Sequence, residues 1–197
     1  MTLYKRREWF SGFSVNVGIL FSRLRLSPNQ WTGISIIFAI ITFYLLAQES
    51  FLAAAVFLII SAFFDLVDGS VARVMGKASR LGAYLDTVAD RYVEGMIAFG
   101  LLFAGLPGFF LPSYAWIFLY LFGSLMTTYA KSAAKEKGVV YQELKGGLLE
   151  RAERMIILFI GILLASVQPL FLTYVIIILA VLSNISALQR IWAAARE

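Results

Sequence analysis

The segment FLAAAVFLIISAFFDLVDGSVARVMGKASRLGAYLDTVAD, residues 51–90, joins a long apolar run to four aspartates. The aspartates form two pairs: Asp65 with Asp68, and Asp86 with Asp90. Spacings of three and four residues place the members of each pair on one face of a helix. A short turn over 74–80 makes the two helices antiparallel neighbours. The sequence therefore predicts that four carboxylates converge at one end of a helix pair.

The overall composition indicates an integral membrane protein. Of 197 residues, 60% are hydrophobic and 15% are charged, whereas soluble domains carry about 25% charged residues. Such abundant apolar surface also excludes a disordered chain. The absence of Cys and His excludes disulfide frameworks, zinc–thiolate sites, and catalysis by thiol or imidazole groups. Any chemistry must therefore come from carboxylates, basic groups and hydroxyls.

Long uncharged stretches set the number of helices. Residues 95–130 and 155–189 carry no charge over 36 and 35 positions, which is too long for one span of about 20 residues. Prolines divide each stretch into two. We therefore expect an all-α integral membrane fold with six transmembrane helices, at 31–47, 51–74, 82–105, 113–135, 152–168 and 170–190.

The basic residues predict the orientation of this bundle. All 17 Lys and Arg fall on one side, and the turns near Glu49, Gly108 and Pro169 carry none. The positive-inside rule makes the basic side cytoplasmic, so both termini and the aspartates are expected there, in a multi-pass protein of the cell membrane. The net charge of +5 is thus interpreted as an orientation signal, and no nucleic-acid partner is expected.

The N-terminal segment has the pattern of a helix lying on the membrane surface. Apolar residues recur every three or four positions, from Phe10 and Phe13 to Leu24, which predicts an amphipathic interfacial helix over 5–25. Neither internal repeats nor flexible linkers are visible. The sequence therefore predicts one domain over 1–197, with the interfacial helix in 1–28 and the six-helix bundle in 29–197.

The clustered aspartates favour a metal site. Ionisable groups at membrane depth are costly and usually face a polar interior, and four like charges need neutralising cations. Oxygen ligands suit Mg²⁺, Mn²⁺ or Ca²⁺, and two carboxylate pairs could hold two ions that clamp a phosphoryl group. The alternative is a structural network with Arg73, Lys77 and Arg91, or an ion pathway.

The same segment resembles a family signature. It fits D-x-x-D-G-x-x-A-R-x8-G-x-x-x-D-x-x-x-D at all eight fixed positions, from Asp65 to Asp90. This is the signature of the CDP-alcohol phosphotransferases, whose six-helix membrane fold also fits. A weaker resemblance lies in Pro-Asn-x-x-Thr, residues 28–32. Homodimers are common in that family, so a homodimer is expected.

The resemblance implies roles for these residues. Asp65, Asp68, Asp86 and Asp90 would hold the metals. Asp90 would also be the base that takes the proton from an attacking acceptor hydroxyl, after which CMP leaves. The residues implied to bind the CDP portion of the donor are Asn29, Thr32, Gly69, Ala72, Arg73, Ser79 and Gly82.

Basic residues at predicted helix ends indicate the acceptor. Lys131 and Lys135 share one helix face, and Arg151 and Arg154 share another. A basic pocket suits an acceptor alcohol that carries its own phosphate; the alternative is contact with lipid headgroups. The candidate acceptor-binding residues are Lys131, Lys135, Arg151, Arg154 and Arg190.

Three segments narrow the acceptor by resemblance. Tyr-x-Lys (129–131), Glu-Arg-x-Glu-Arg (150–154) and Gln-Arg (189–190) are similar to those of phosphatidylinositol-phosphate and archaetidylinositol-phosphate synthases. This implies a CDP-linked lipid as donor and inositol phosphate as acceptor. One departure is Ala133, where that pattern usually has Arg.

Alternative functions remain open at this point. Phosphatidylglycerol-phosphate synthesis also uses an anionic acceptor, and di-inositol-phosphate synthesis would use CDP-inositol as donor. A cation transporter with the aspartates as its path is the alternative of another class. Transporters usually show internal repeats, which this sequence lacks.

Overall fold

The computed structural model describes residues 7–140 and 148–196. In these residues the regular structure is entirely α-helical, which confirms the all-α part of the predicted fold class. The six helices that follow the N-terminal one match the predicted ranges to within a few residues. In chain order the helices are α1 (Arg7–Ser22), α2 (Pro28–Ala47), α3 (Phe51–Val74), α4 (Arg80–Phe103), α5 (Ser113–Glu136), α6 (Arg151–Ala165) and α7 (Pro169–Ala194).

Local sequence signals account for the ends of the helices. Before α2, the Ser27 N–H donates to Oε1 of Gln30 at 2.7 Å, and Pro28 supplies the fixed φ that suits a first helical position. Before α4, Oγ of Ser79 accepts the N–H of Gly82 at 3.0 Å, the geometry of an N-cap. After α3, Gly76 adopts a φ of 62°, which glycine tolerates without steric cost.

The N-terminal helix α1 is shorter than predicted and packs differently. Residues 5 and 6 of the predicted range lie outside the described residues. Val17 is buried, whereas Phe13, Leu20 and Leu24 are exposed. The predicted apolar stripe is therefore divided. Val17 and Phe21 pack against other helices, whereas Phe13, Leu20 and Leu24 face outward.

Three described helices are long and apolar enough to cross a membrane by length and composition: α2, α3 and α7. In contrast, α4 carries Asp86, Asp90, Arg91 and Glu94, and α6 has 15 residues. The three apolar helices give the protein its membrane character.

The helices divide into two compact units. The first unit contains the described residues up to Ile41 together with Val56–Val93. The second contains Thr42–Ala55 and the described residues from Glu94 onward. Each unit is considered by itself below.

The first unit is built on a small apolar core from α1, α2 and α3. Val17, Trp31, Val67 and Val71 form its buried centre. The indole of Trp31 stacks on Phe64 with ring centroids 5.5 Å apart. This packing fixes the end of α3 that carries the first aspartate pair.

Small polar residues hold α2 directly against α3. Oγ of Ser35 donates to the carbonyl of Ser61 at 2.9 Å. Oγ of Ser61 donates in return to the carbonyl of Ser35 at 2.8 Å. Small hydroxyl residues of this kind let membrane helices approach closely and bond across the interface.

In the second unit, α5, α6 and α7 are joined by close packing and by hydrogen bonds. Nδ2 of Asn184 donates to the carbonyl of Leu119 at 2.9 Å. Just before α6, the N–H of Leu149 donates to Oγ of Ser186 at 3.0 Å. The first bond links α7 to α5, and the second links the start of α6 to α7.

Candidate active site

Three of the four predicted aspartates form a cluster in the first unit. Carboxylate oxygens of Asp65, Asp68 and Asp86 all lie within 4.8 Å of one another. Asp68 is only 4% exposed and accepts a hydrogen bond from Oγ1 of Thr32 at 2.5 Å. Carboxylates this close repel one another, and an all-oxygen donor set is what hard divalent cations prefer. The residues present therefore fit a divalent metal ion.

Asp90 lies outside that three-residue group. Its Oδ2 is 2.9 Å from Nη1 of Arg91, and the same nitrogen donates to the carbonyl of Thr87 at 3.1 Å. The ion-pair alternative considered for the aspartates thus applies to Asp90. Its carboxylate is mostly buried, with 13% of the side chain exposed.

A cavity of about 380 Å³ in the first unit includes two of these aspartates, Asp68 and Asp86, in its wall. Every residue that the sequence implied for binding CDP also lines it. These seven residues are Asn29, Thr32, Gly69, Ala72, Arg73, Ser79 and Gly82. Positions from α2, α3, α4 and the α3–α4 turn thus surround one space.

The cavity has the electrostatic character of a phosphate site. Both α2 and α4 begin at its wall, at Pro28 and next to Ser79. Helix N-termini carry partial positive charge and directed N–H groups, which favour anions. Arg73 and Lys77 add two full positive charges to the lining. The cavity therefore suits an anionic ligand beside a carboxylate cluster.

The two hydroxyl groups among the implied nucleotide residues already have partners in the protein. The Thr32 hydroxyl orients Asp68, and the Ser79 hydroxyl caps α4. Gly69 keeps space beside Arg73, because a Cβ there would be 3.3 Å from Nη1 of Arg73.

Sequence reasoning missed Lys77 as a lining residue and considered it only as an ion-pair partner. It lies in the variable gap of the motif, where no residue type is specified. The sequence feature that could have indicated Lys77 is its position in the turn between the two aspartate pairs, directly after Gly76.

The second unit contains a buried ion pair that sequence reasoning also missed. Nε of Arg154 is 3.1 Å from Oε1 of Glu94, and the two side chains are 2% and 1% exposed. The hydroxyl of Tyr120 lies 3.4 Å from the same carboxylate oxygen. The available signal was Glu94 itself, a carboxylate one helical turn beyond Asp90 that needs a partner at membrane depth.

The predicted acceptor-binding residues are only partly brought together. Nη1 of Arg154 lies 3.5 Å from Oγ1 of Thr127, and Nη1 of Arg190 donates to the carbonyl of Thr127 at 2.8 Å. Arg151 is half-buried, although it shares a predicted face with the fully buried Arg154. On α5, Lys131 is half-buried and Lys135 is exposed.

The glutamates between Arg151 and Arg154 have a local role. Glu150 and Glu153 form a capping box at the start of α6, in which the Glu150 N–H donates to Oε2 of Glu153 at 3.0 Å. The structure shows that they satisfy backbone groups at a helix start.

Comparison with known proteins identifies the family. The family model for CDP-alcohol phosphatidyltransferase matches residues 25–192. The chain belongs to the CDP-alcohol phosphatidyltransferase family. It is 32% identical over 181 residues to an archaetidylinositol phosphate synthase of Pyrococcus horikoshii, covering 92% of this chain and 90% of the relative.

Solved structures of a second relative agree with this assignment. The phosphatidylinositol phosphate synthase of Mycobacterium tuberculosis with CDP-DAG bound matches with a TM-score of 0.80 and 27% identity, over 92% of each chain. The same enzyme in complex with manganese and citrate matches with a TM-score of 0.81 and 26% identity, over 92% of this chain and 88% of that one.

Membership in the CDP-alcohol phosphatidyltransferase family establishes that this protein is a transferase. Its apolar helices and its family make it a membrane protein. The three-aspartate cluster and the manganese in the relative's structure are both consistent with use of a divalent cation. The family name and the CDP-DAG complex of the relative support a CDP-linked lipid as donor and an alcohol as acceptor.

Proposed function

We propose that this protein transfers a lipid-bearing phosphoryl group from a CDP-linked lipid to a hydroxyl of inositol phosphate and releases CMP. The observation that carries the proposal is the cavity in the first unit. All seven implied nucleotide residues and two clustered aspartates line it together. The names of the relatives support inositol phosphate as the acceptor.

The donor's CDP portion occupies this cavity. Its diphosphate lies where α2 and α4 begin, and Arg73 and Lys77 neutralise its charge. Gly69, Ala72 and Gly82 present little side chain at the wall, so the nucleotide can approach the helix backbones.

The metal-binding residues are Asp65, Asp68 and Asp86, with Asp90 completing a second site. Mg²⁺ or Mn²⁺, as two ions, suits these ligands. When bound, the metal supplies positive charge that stabilises the phosphoryl oxygens. Thr32 holds the Asp68 carboxylate in place through its hydrogen bond of 2.5 Å.

Asp90 acts as the base in this proposal. The acceptor hydroxyl loses its proton to the Asp90 carboxylate while its oxygen attacks the phosphorus that bears the lipid. The new P–O bond forms as the bond between that phosphorus and the CMP oxygen breaks. Arg91, 2.9 Å away, orients the carboxylate.

The acceptor's phosphate is bound by the basic side chains of α5, α6 and α7. Guanidinium groups suit phosphate because they donate in a planar, bidentate pattern. Arg154 is held in position by Glu94 and Thr127. The proposed residues are Lys131, Lys135, Arg151, Arg154 and Arg190.

The proposal extends to topology and assembly. The six helices α2–α7 span the cell membrane as a single domain over residues 1–197. Helix α1 lies on the cytoplasmic surface, where its exposed Phe13 and Leu20 contact lipid. Both termini and the site are cytoplasmic, and two copies form a homodimer.

Purified protein in lipid nanodiscs tests the reaction. We expect Mg²⁺-dependent CMP release from a CDP-linked lipid with inositol phosphate, and little with free inositol. Asp90→Asn should lower turnover by at least about a hundredfold, the usual contribution of a general base. Wild-type CMP release by Asp90→Asn would remove the base assignment.

The acceptor panel separates the alternatives. Turnover only with glycerol phosphate would show that glycerol phosphate, and not inositol phosphate, is the acceptor. Turnover with CDP-inositol as donor would indicate di-inositol-phosphate synthesis. Absence of CMP release with every acceptor, together with cation uptake into vesicles, would favour a transporter.

The lack of cysteine makes topology directly testable. We expect Glu49→Cys and Lys137→Cys to be labelled from opposite sides of oriented vesicles. Labelling from the same side would contradict the proposed spans. Mass measurement of the solubilised protein tests the homodimer.

A further inference from the structure

A hydroxyl on α1 contacts the guanidinium of the first unit's cavity. Oγ of Ser14 is 2.7 Å from Nη2 of Arg73, although 59 residues separate them. It is also 2.7 Å from Oγ of Ser70. The N-terminal helix thus reaches a residue that lines the cavity.

The direction of these bonds follows from counting hydrogens. Each serine hydroxyl has one hydrogen to donate. Oγ of Ser70 donates its hydrogen to the carbonyl of Leu66 at 2.8 Å, so it accepts from Ser14. Ser14 has then used its own hydrogen and receives one from Arg73. The chain of bonds therefore runs from Arg73 through Ser14 and Ser70 to a helix carbonyl.

Close packing fixes the register of α1 at this contact. Gly18, one turn beyond Ser14, lies directly on α3. A Cβ at Gly18 would be 2.6 Å from the carbonyl oxygen of Ser70 and 2.6 Å from Cγ2 of Val74. Val17 is buried in the neighbouring core. The position of Ser14 is therefore set by the fold, since α1 has little room to slide.

Arg73 is a side chain that gains from such support. It is exposed and long, and an unheld arginine loses considerable rotamer freedom when it binds a ligand. On its other side Gly69 leaves space, because a Cβ there would be 3.3 Å from Nη1. Ser14, Ser70 and Gly69 together define where the guanidinium lies along the cavity wall, since Nη2 also donates to Oγ of Ser70 at 3.4 Å.

We propose that Ser14 is a positioning residue that holds the guanidinium of Arg73 ready for the diphosphate of the nucleotide donor. This rests on the proposed function, in which Arg73 binds that diphosphate. It assigns α1 a part in donor binding in addition to its contact with the membrane surface.

Steady-state kinetics of CMP release from the full-length protein test this. Ser14→Ala should raise the KM for the CDP-linked lipid by about five- to tenfold, as expected for loss of a bond to a charged group. It should leave kcat and the acceptor KM within about twofold, because the reacting atoms are untouched. Ser14→Thr, which keeps the hydroxyl, should restore the donor KM.

Ser22→Ala is the matched control on the same helix. The Ser22 hydroxyl bonds only within α1 among its described contacts, to the carbonyl of Ile19 at 2.8 Å. We expect wild-type kinetics. In an Arg73→Ala background, Ser14→Ala should add no further change in donor KM, since the two residues act as one unit.

Several outcomes would overturn the assignment. One is a wild-type donor KM for Ser14→Ala. Another is an equal rise in donor KM when Ser14→Ala is added to Arg73→Ala. A third is a donor KM for Ser14→Thr as high as that of Ser14→Ala. Wild-type protein that releases no CMP from any CDP-linked lipid would instead remove the proposed function, and the role of Ser14 with it.

Discussion

The aspartate cluster of the first unit and the Glu94–Arg154 pair of the second place charge on apolar helices in opposite ways. Asp65, Asp68 and Asp86 gather like charges within 4.8 Å at a cavity. Glu94 and Arg154 join opposite charges at 3.1 Å in a fully buried place.

The difference indicates two uses of charge. Clustered carboxylates repel, so they lower the stability of the metal-free protein and gain stability when a cation binds. In a buried ion pair each charge neutralises the other, and the protein loses stability when one partner is removed. Removing a charge should therefore have opposite effects on stability in the two regions.

The largest expected effect comes from Asp68→Asn. Loss of this proposed metal ligand should lower CMP release by about a thousandfold, because metal stabilisation of the phosphoryl oxygens contributes several kcal/mol. Without added metal, the unfolding midpoint should stay the same or rise, since one of three like charges is gone. Activity assays and thermal unfolding in micelles measure both quantities.

The matched control is Glu136→Gln, a carboxylate that is 73% exposed and paired only with the exposed Lys137 among its described contacts. Exposed pairs contribute little, so activity and unfolding should be unchanged. Destabilisation of metal-free Asp68→Asn would contradict the repulsion on which the comparison rests.

The second prediction concerns the buried pair. Arg154→Met should lower the free energy of unfolding by about 3–5 kcal/mol, because it leaves Glu94 charged and unpaired. The double variant Glu94→Gln, Arg154→Met should regain most of that loss. Denaturant unfolding in micelles measures the difference.

The double variant also tests the acceptor site. If Arg154 binds the acceptor's phosphate, the stable double variant should still show an acceptor KM raised by about tenfold. A double variant no more stable than Arg154→Met would reject the ion-pair argument. A wild-type acceptor KM would remove Arg154 from the binding set.

The smallest effects are expected from two glycines. In the first unit, a Cβ at Gly69 meets only the guanidinium end of the Arg73 side chain, at 3.3 Å, and no backbone atom. Gly69→Ala should therefore raise the donor KM a few-fold and leave stability unchanged. In the second, a Cβ at Gly123 would be 2.8 Å from the backbone nitrogen of Asn184, so Gly123→Ala should cost about 1–3 kcal/mol of stability.

The two alanine variants compare the first unit with the second by the effect of one added methyl group. The donor KM should change in Gly69→Ala, and the free energy of unfolding should change in Gly123→Ala. A stability loss in Gly69→Ala as large as in Gly123→Ala would show that the first unit is packed as tightly as the second at these positions.

The helix positions and the motif could be predicted from the sequence because they depend on residues close together in the chain. Apolar runs and prolines set the helices, and spacings of three and four residues put each aspartate pair on one face. The family resemblance further implied seven of the residues that line the cavity. Local spacing also predicted one face for Arg151 and Arg154, yet only Arg154 is fully buried.

The contacts between distant residues were not readable. Thr32 meets Asp68 across 36 positions, Ser14 meets Arg73 across 59, and Arg154 meets Glu94 across 60. Helical periodicity fixes the face on which a side chain lies. It does not fix which helix that face meets, or how far one helix is shifted along another.

The sequence by itself determined an all-helical membrane protein of the CDP-alcohol phosphotransferase type with carboxylates as its chemical groups. Only the tertiary structure decided that Asp90 lies outside the three-aspartate cluster, that Arg154 is buried against Glu94, and that a serine of α1 contacts Arg73. The physical reason is that side-chain hydrogen bonds require atoms within about 3 Å. That precision arises only when helices pack.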